Sequence, residues 1–355
     1  MRHWPIVVPL IALVLVGAAA FLPRHPALSV VLGAALVGAV LAAVHHAEVV
    51  AHRLGEPLGT LVLALAVTVI EAGLILALML SGGPASAALA RDTVYAAVMI
   101  ICNGVVGLCV LVGGIAHREQ SFRVEGSSAG LAALIAMSAL ALVLPDFTTT
   151  TSFGTYSKGQ LVFVAVTSVM LWAIFVFVQT VRHRDYFLPA ADKSNAEAHA
   201  APPTNLQAAA SFGLLLLCLV SVVGLAKVLS PTIEQAVVKA GAPKAVIGIV
   251  IAMLVLLPET WAAVRAAVAN RLQTSMNLAI GSALASIGLT IPVVAFAGIV
   301  LDLPLTLGLG PKDLVMLAIT FLISAVTLGV GRTHVMQGAV HLVIFAAFLF
   351  LAFVP

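Results

Sequence analysis

The stretch LGTLVLALAVTVIEAGLILALML, residues 58–80, is apolar apart from two threonines and one carboxylate, Glu71. It is longer than the roughly 20 residues that a helix needs to cross a bilayer core about 30 Å thick, so it predicts a transmembrane helix. Placing an ionised carboxylate in the middle of such a helix costs at least ~2.5 kcal/mol on insertion scales. Glu71 is therefore predicted to face the interior of a helix bundle or a water-filled path.

The composition of the whole chain is that of a membrane protein. Of its 355 residues, 62% are hydrophobic and 9% are charged, with a mean hydropathy of +1.18. Soluble domains carry about 25% charged residues, so an ordinary soluble protein is excluded. The net charge of +3 comes from basic residues between the apolar runs, where membrane topology places them, and no nucleic-acid partner is expected.

Apolar runs of this length recur along the chain and predict an all-α membrane protein with about eleven transmembrane helices. Prolines, glycines and charged residues separate the runs. The first run follows Arg2 and contains Ala18-Ala19-Ala20, which resembles a cleavage site; its length favours a helix, with a cleaved signal peptide as the alternative. The predicted spans lie near residues 5–22, 27–49, 58–80, 93–116, 128–146, 159–181, 208–229, 245–265, 276–300, 312–331 and 334–354.

A polar linker, residues 182–207, divides the chain into an N-terminal membrane half, residues 1–181, and a C-terminal membrane half, residues 208–355. With the N-terminus in the cytoplasm, ten of the 17 Lys and Arg residues fall on the cytoplasmic side and seven on the other. This distribution follows the positive-inside rule. The N-terminus and the linker are therefore predicted to be cytoplasmic, in a bacterial inner membrane.

A second carboxylate, Glu259, lies well inside the eighth predicted span, directly after Pro258. No Lys or Arg is predicted at comparable depth, because Lys227 falls near the predicted end of its own span. Proline cannot donate a backbone hydrogen bond, so a carbonyl near Glu259 is predicted to be free to act as a ligand. A purely structural pairing of either glutamate is the alternative.

The surroundings of the two glutamates resemble each other. Each glutamate lies about three turns after a glycine, Gly59 or Gly248, and each helix is followed by a span rich in small and polar residues. The two units, about residues 58–116 and 245–300, are displaced by five spans, so they cross the membrane in opposite directions. This pattern predicts two inverted-topology repeats, which in transporters commonly place the substrate site near the midplane. Chance similarity between apolar helices is the alternative.

Polar side chains follow the helical period near each glutamate. Ser282 and Ser286 lie four residues apart on one helix face. Thr68 precedes Glu71 by one turn, and Asn103 lies in the span that follows. Small and hydroxyl residues also occur where helices simply pack closely, so each of them has a structural interpretation as well. The predicted cation-binding and proton-binding residues are Glu71, Glu259, Asn103, Ser282, Ser286 and Thr68.

Such a site offers two carboxylates and further side-chain oxygens without sulfur. Ca²⁺ takes about 6 to 8 oxygen ligands in flexible geometry, and ionised Glu71 and Glu259 would match its charge as its metal ligands. Protons compete for the same oxygens, which would couple Ca²⁺ to H⁺. No cofactor and no catalytic motif are predicted, so the chain is not expected to be an enzyme. A membrane-embedded enzyme with the two glutamates as acid and base is the alternative from another class.

A second polar group lies around the exit of the second predicted span. It comprises His46, Glu48 and Glu56, with His45 and His52 beside them. Imidazoles change charge near neutral pH, so this group is a candidate pH-responsive or ion-attracting mouth. A solvated interfacial cluster of polar side chains is the alternative.

With these residues the chain resembles the ChaA type of calcium/proton antiporter, in the calcium/cation exchanger superfamily. The likeness covers nearly the whole chain, and its segments are specific in combination rather than singly. They are Ala51–Pro57, the span around Glu71, Arg91–Thr93, Pro258–Glu259, Met276–Ser282, Leu289–Val294 and Gly331–Thr333.

The resemblance implies about ten or eleven helices in two inverted repeats, with one central glutamate in each repeat, here Glu71 and Glu259. Better-known relatives carry Gly-Asn a few residues before that glutamate, whereas this chain has Val67-Thr68 and Val255-Leu256. The resemblance predicts a secondary transporter that exchanges Ca²⁺ for H⁺ by alternating access. Because the neighbouring residues differ, a monovalent Na⁺ or K⁺/H⁺ antiporter is the alternative. The expected partners are these ions and the lipid bilayer.

Overall fold

The computed structural model describes residues 3–19, 25–55, 58–188 and 203–354. Apolar segments form helices throughout, because backbone in lipid must satisfy its hydrogen bonds within the segment. The α-helices of the described residues are α1 (Trp4–Ala19), α2 (Pro26–Leu54), α3 (Leu58–Gly82), α4 (Leu89–Met99), α5 (Val106–His117), α6 (Val124–Ser138), α7 (Lys158–Phe177), α8 (Asn205–Lys239), α9 (Ala245–Val268), α10 (Leu272–Ala285), α11 (Ile291–Leu301), α12 (Pro311–Gly329) and α13 (Val335–Phe353).

Two of the predicted spans contain a π-helical turn near their middle, and two further π-helical turns, Ala139–Val143 and Val178–Arg182, lie towards the ends of their spans. The turn Ile100–Val105 joins α4 to α5, and the turn Ser286–Thr290 joins α10 to α11. Each helix pair thus forms one continuous span, Leu89–His117 and Leu272–Val300. A π-helical turn closes its hydrogen bonds from i to i+5 and occurs frequently at functional sites. Both mid-span turns lie in the span that follows a glutamate helix.

Ten helical segments of the described residues are long and apolar enough to cross a membrane. They are Pro26–Leu54, Leu61–Ser86, Leu89–His117, Val124–Asp146, Lys158–Arg182, Asn205–Lys239, Ala245–Val268, Leu272–Val300, Pro311–Gly329 and Val335–Phe353. An eleventh apolar helix, α1, is shorter, with 16 residues. The predicted all-α membrane fold is confirmed, and the predicted spans agree with these helices to within a few residues except at α8.

Helix α8 ends at Lys239, ten residues beyond the predicted end of its span at residue 229. The prediction stopped before Pro231, because proline removes a backbone donor and disfavours a helix interior. In the structure the helix continues through Pro231, since the backbone angle of proline is itself helical and a single hydrogen bond is lost. The expectation that Lys227 lies near a helix end was therefore wrong: Lys227 lies inside α8, with an exposed side chain.

The chain divides into two compact units, of which unit 1 comprises residues 1–87 and 195–247. Among its described residues are α1, α2, α3 and α8, and α2 packs against each of the other three. Glycine allows α3 and α8 to approach closely, because a β-carbon on Gly73 would lie 2.9 Å from the Val223 side chain. Unit 1 is thus a tightly packed helix bundle that contains the first glutamate helix.

Unit 2 comprises residues 88–194 and 248–355. Within it α13 packs on α5, α11 on α7, and α10 on α6. Two short strands, β1 (Glu119–Ser121) and β2 (Arg332–His334), pair in antiparallel register. This pairing ties the connection after α5 to the connection before α13.

Each compact unit draws on both halves of the sequence, because α8 belongs to unit 1 and α4 to α7 belong to unit 2. The predicted division of the sequence at residues 182–207 stays a prediction. Most of that linker, residues 189–202, lies outside the described residues.

The order of elements repeats along the chain. A long helix, α2 or α8, precedes a glutamate helix, α3 or α9, and a span with an internal π-helical turn follows. Two further spans complete each series. Because five spans separate each element from its counterpart, the counterparts cross the membrane in opposite directions, as the predicted inverted repeats require.

Candidate cation site

Glu71 lies in the middle of α3, and only 1% of its surface is exposed. Thr68 precedes it by one turn and is 3% exposed. The Thr68 hydroxyl has no hydrogen-bond partner among the described residues, although a helical threonine usually donates to a carbonyl of the preceding turn. Unit 1 therefore presents a buried carboxylate and a buried hydroxyl oxygen on one face of α3.

Glu259 lies on α9 and is half-buried, with its Oε2 oxygen inside the protein. The preceding Pro258 is accommodated within the helix. Proline lacks the N–H that would bond to the Leu254 carbonyl, so this carbonyl is released from the helical pattern. The neighbouring Thr260 hydroxyl instead donates to the Leu256 carbonyl at 2.7 Å. A carboxylate and a carbonyl are thus the oxygens that α9 offers.

Asn103 lies in the π-helical turn Ile100–Val105 and is fully buried in unit 2. Its Nδ2 donates to Thr320 Oγ1 on α12 at 2.9 Å. Its Oδ1 lies 3.3 Å from His341 Nδ1 on α13. An amide oxygen has two lone pairs, so Oδ1 retains one for a further partner. The predicted ligand is an amide that two other helices hold in place.

His341 and its neighbour Thr327 were not among the predicted site residues. His341 is fully buried within the last span, and its Nε2 lies 3.0 Å from Thr327 Oγ1. An ionisable side chain inside a membrane span is itself a signal of function, and that signal was present at His341. Its pairing with Asn103, 238 residues away, carries no sequence signal.

Ser286 and Thr290 mark the ends of the π-helical turn between α10 and α11 and are buried, with 3% and 0% exposure. Ser282 lies one turn earlier on α10 and is half-buried. The prediction placed the hydroxyls on one face at a spacing of four residues, which holds for Ser282 and Ser286.

The six predicted site residues fall in both units. Glu71 and Thr68 belong to unit 1, whereas Glu259, Asn103, Ser282 and Ser286 belong to unit 2. Their assignment to one cation site stays a prediction.

The predicted mouth residues have different environments. His46 is 3% exposed, and its Nε2 lies 2.9 Å from the Pro5 carbonyl. Pro9 has no N–H to bond to this carbonyl within α1, so the His46 ring supplies the missing donor. Glu48 is exposed on α2, and Glu56 lies outside the described residues. His46 thus links α1 to α2 by a hydrogen bond, a role that was not predicted from the sequence.

A charged group lies where α4 begins. The Arg91 guanidinium forms an ion pair with Asp92 at 2.8 Å and donates to the Gly308 carbonyl at 2.9 Å. Nearby, the Tyr156 hydroxyl donates to a backbone carbonyl after α6 at 2.6 Å. Burial and the adjacent Asp146 carboxylate raise the pKa of Tyr156 to about 12, so this donor stays protonated at physiological pH. These contacts give Arg91 and Tyr156 structural roles at one end of unit 2.

Comparison with known proteins agrees with this architecture. Residues 24–181 and 210–354 match the family described as sodium/calcium exchanger protein. The chain is 48% identical to y4hA of Sinorhizobium fredii, over 99% of this chain and 96% of that protein, whose name assigns it only provisionally to ionic transport. It is 33% identical to the sodium-potassium/proton antiporter ChaA of Escherichia coli, over 98% of this chain and 94% of that protein.

The fold is similar to that of a solved structure. The structure of native YfkE matches with a TM-score of 0.74 and 18% identity, over 99% of this chain and 100% of that chain. At this level of identity the likeness concerns the fold. It extends over the whole helical architecture rather than over one repeat.

Proposed function

Because the chain belongs to the sodium/calcium exchanger family, we propose that it exchanges Ca²⁺ for H⁺ across a bacterial inner membrane by alternating access. Glu71 and Glu259 bind the cation and the protons in turn. The hydroxyl and amide oxygens of Thr68, Asn103, Ser282 and Ser286 complete the ligands.

The observation that carries this proposal is the burial of Glu71 within an apolar helix, with Glu259 on the counterpart helix of the second repeat. An ionised carboxylate at such a depth is unfavourable unless a positive charge accompanies it. A proton or a metal cation each meets this requirement, and the two exclude each other at the same oxygens. Mutual exclusion is the physical basis of exchange.

The chemistry of the ligands favours Ca²⁺. Two carboxylates balance its charge of +2, and Ca²⁺ accepts mixed carboxylate, carbonyl and neutral oxygen ligands in an irregular shell. The Leu254 carbonyl, released by Pro258, and the Thr68 hydroxyl are neutral oxygens of this kind.

A second candidate function is exchange of Na⁺ or K⁺ for H⁺. The relative ChaA, 33% identical over nearly the whole chain, is named a sodium-potassium/proton antiporter. Val67-Thr68 and Val255-Leu256 also replace the Gly-Asn of better-known exchangers. Fewer oxygen ligands beside each glutamate reduce the advantage of Ca²⁺ over a monovalent cation.

Transport in everted membrane vesicles tests both candidates. A proton gradient is imposed, and the uphill movement of Ca²⁺, Na⁺ and K⁺ is measured separately. We expect uphill Ca²⁺ movement that is absent in vesicles with Glu71→Gln at matched abundance. Uphill Na⁺ or K⁺ movement without Ca²⁺ movement would favour the second candidate, and no uphill movement of any of the three would overturn both.

The proposed orientation places the N-terminus and the linker, residues 182–207, in the cytoplasm, and the C-terminus outside. It follows from the positive-inside rule and from the odd number of predicted spans. Topology reporters fused within the linker and after the last helix should lie on opposite sides. Reporters on the same side would contradict the proposed count of helices.

A further inference from the structure

A chain of buried polar side chains in unit 2 links α12, the π-helical turn between α4 and α5, and α13, and returns to α12. Thr320, Asn103 and His341 are each 0% exposed, and Thr327 is 2% exposed. Their polar atoms are 2.9 to 3.3 Å apart in the order Thr320, Asn103, His341, Thr327. Burying unpaired polar groups is costly, so these hydrogen bonds are what allows the four polar side chains to lie in the interior of unit 2.

The donor at each step follows from one anchored hydroxyl. Thr320 Oγ1 donates to the Met316 carbonyl at 2.8 Å, so it accepts from Asn103 through the amide Nδ2. The amide oxygen of Asn103 then faces His341 Nδ1, and this nitrogen must carry the ring proton. His341 Nε2 is left as the acceptor of the Thr327 hydroxyl. With Thr320 donating to Met316, this arrangement satisfies every polar atom of the network when the imidazole is neutral.

Close helix packing brings His341 to Asn103. A β-carbon on Gly107 would lie 2.8 Å from the His341 β-carbon, and one on Gly338 would lie 2.5 Å from the Leu111 backbone nitrogen. Glycines at these positions let α5 and α13 approach each other.

We propose that His341 is a positioning residue that fixes the orientation of the Asn103 amide and thereby sets the affinity for the transported cation. This inference rests on the proposed function, in which Asn103 supplies an oxygen ligand. His341 Nδ1–H holds Oδ1, and Thr320 Oγ1 holds Nδ2.

The orientation matters because the two ends of an amide act oppositely on a cation. Oδ1 carries a partial negative charge and has a second lone pair, whereas Nδ2 presents two hydrogens. Rotation of the amide by half a turn would exchange an attractive group for a repulsive one. A donor at the His341 Nδ1 position excludes the rotated form, because two donors would then face each other.

Two isosteric substitutions of His341 distinguish a side chain that orients the Asn103 amide from one that only fills the space beside it. The amide nitrogen of an asparagine takes the place of the ring Nδ1, and that of a glutamine takes the place of Nε2. His341→Asn thus keeps the donor to Asn103, whereas His341→Gln removes it. In transport assays we expect KM of the cation within about twofold of wild type for His341→Asn. For His341→Gln we expect KM to rise roughly two- to tenfold, the range of one net hydrogen bond, with a smaller change in maximal rate.

Equal KM values for the two variants would overturn the proposal, since the side chain would then act by size and polarity alone. A second measurement needs no variant to transport. In protein with ¹⁵N-labelled histidine, the shifts of the ring nitrogens report which one carries the proton, and the signal that moves in Thr327→Val belongs to His341. We expect the proton on Nδ1. A proton on Nε2 would refute the positioning role.

The two proposals can fail separately. Wild-type vesicles that move none of the three cations uphill would reject the proposed function, whatever the state of the His341 ring. Wild-type transport that Glu71→Gln abolishes, together with a ring protonated on Nε2, would reject the inference and keep the function.

Discussion

At the scale of single residues, Glu71 and Thr68 place two different oxygens one turn apart on α3. The carboxylate can balance the charge of a cation and can also take up a proton. The hydroxyl can do neither and would contribute its dipole alone. Substitutions at the two positions should therefore have different effects on transport and on stability.

Glu71→Gln and Glu259→Gln should each abolish exchange while the protein still inserts and folds. An amide has nearly the shape of a carboxylate but can neither ionise nor release a proton. The measurement is proton-driven cation transport at matched abundance. Glu119→Gln is the matched control, because Glu119 is half exposed on β1 and should tolerate the change. Near-normal exchange by either core variant would remove that residue from the site.

Thr68→Val should raise stability and weaken cation binding together. The Thr68 hydroxyl is buried without a hydrogen-bond partner among the residues that the structure describes, and removing such a group from an apolar interior stabilises by about 1 kcal/mol or more. If the hydroxyl is a ligand, the same change raises KM of the cation. Thermal unfolding and transport kinetics measure the two effects. A stabilised variant with unchanged KM would assign Thr68 to packing rather than to binding.

At the scale of elements, α1 is held against its neighbours by a hydrogen bond to its backbone as well as by apolar contacts. It packs on α2 and α8, and Val16 lies within 2.8 Å of the position that a β-carbon on Gly224 would take. The His46 ring donates to the Pro5 carbonyl, which Pro9 leaves without a helical partner. These contacts make α1 part of the packed helices of unit 1.

A double-substitution cycle tests the hydrogen bond between His46 and Pro5. His46→Leu leaves the Pro5 carbonyl buried without a donor and should destabilise the protein by about 1 to 3 kcal/mol. Pro9→Ala restores a helical N–H, so His46→Leu should cost less in that background. The measurement is the shift of the unfolding temperature in the four proteins, converted to a coupling energy. Equal destabilisation in both backgrounds would mean that the contact contributes no bond of its own.

Helix positions were largely predictable from the sequence, because apolar length in lipid leaves few alternatives to a helix. The end of α8 was not, since Pro231 is a breaker by local propensity but is tolerated in the longer helix. The π-helical turns were not predictable either. A register change of one residue leaves the apolar pattern of a uniformly apolar span unaltered, so Ser286–Thr290 looks like ordinary helix in the sequence.

At the scale of the whole molecule, the repeats and the compact units divide the chain differently. Repeats follow chain order, whereas each unit combines helices from both halves. Sequence patterns reveal repeats because they are local, but the packing of α8 with α2 depends on contacts distant along the chain.

The candidate glutamates could be predicted because a carboxylate contrasts with an apolar span. The role of His341 could not, because it depends on the contact with Asn103, which only the structure shows. The family assignment confirms the expectation that the chain is a transporter and not an enzyme.

The proposed exchange requires that cation and proton binding oppose each other in the whole protein. If both use the oxygens of Glu71 and Glu259, lowering the pH should weaken apparent Ca²⁺ affinity, because protons occupy the carboxylates. Adding Ca²⁺ should release protons, since linkage makes the two effects reciprocal.

Calcium titrations of the purified protein at two pH values, with proton release followed in weakly buffered solution, measure both effects. Where the carboxylates are protonated, Ca²⁺ must displace protons in order to bind. Lowering the pH by one unit should then reduce the apparent Ca²⁺ affinity about tenfold for each proton displaced. Glu71→Gln is the control, and it should release fewer protons because one of the two titrating groups is gone. Affinity that is independent of pH, together with no proton release, would leave the two ions on separate sites. A Ca²⁺ flux could then run only down its own gradient, and antiport would be excluded.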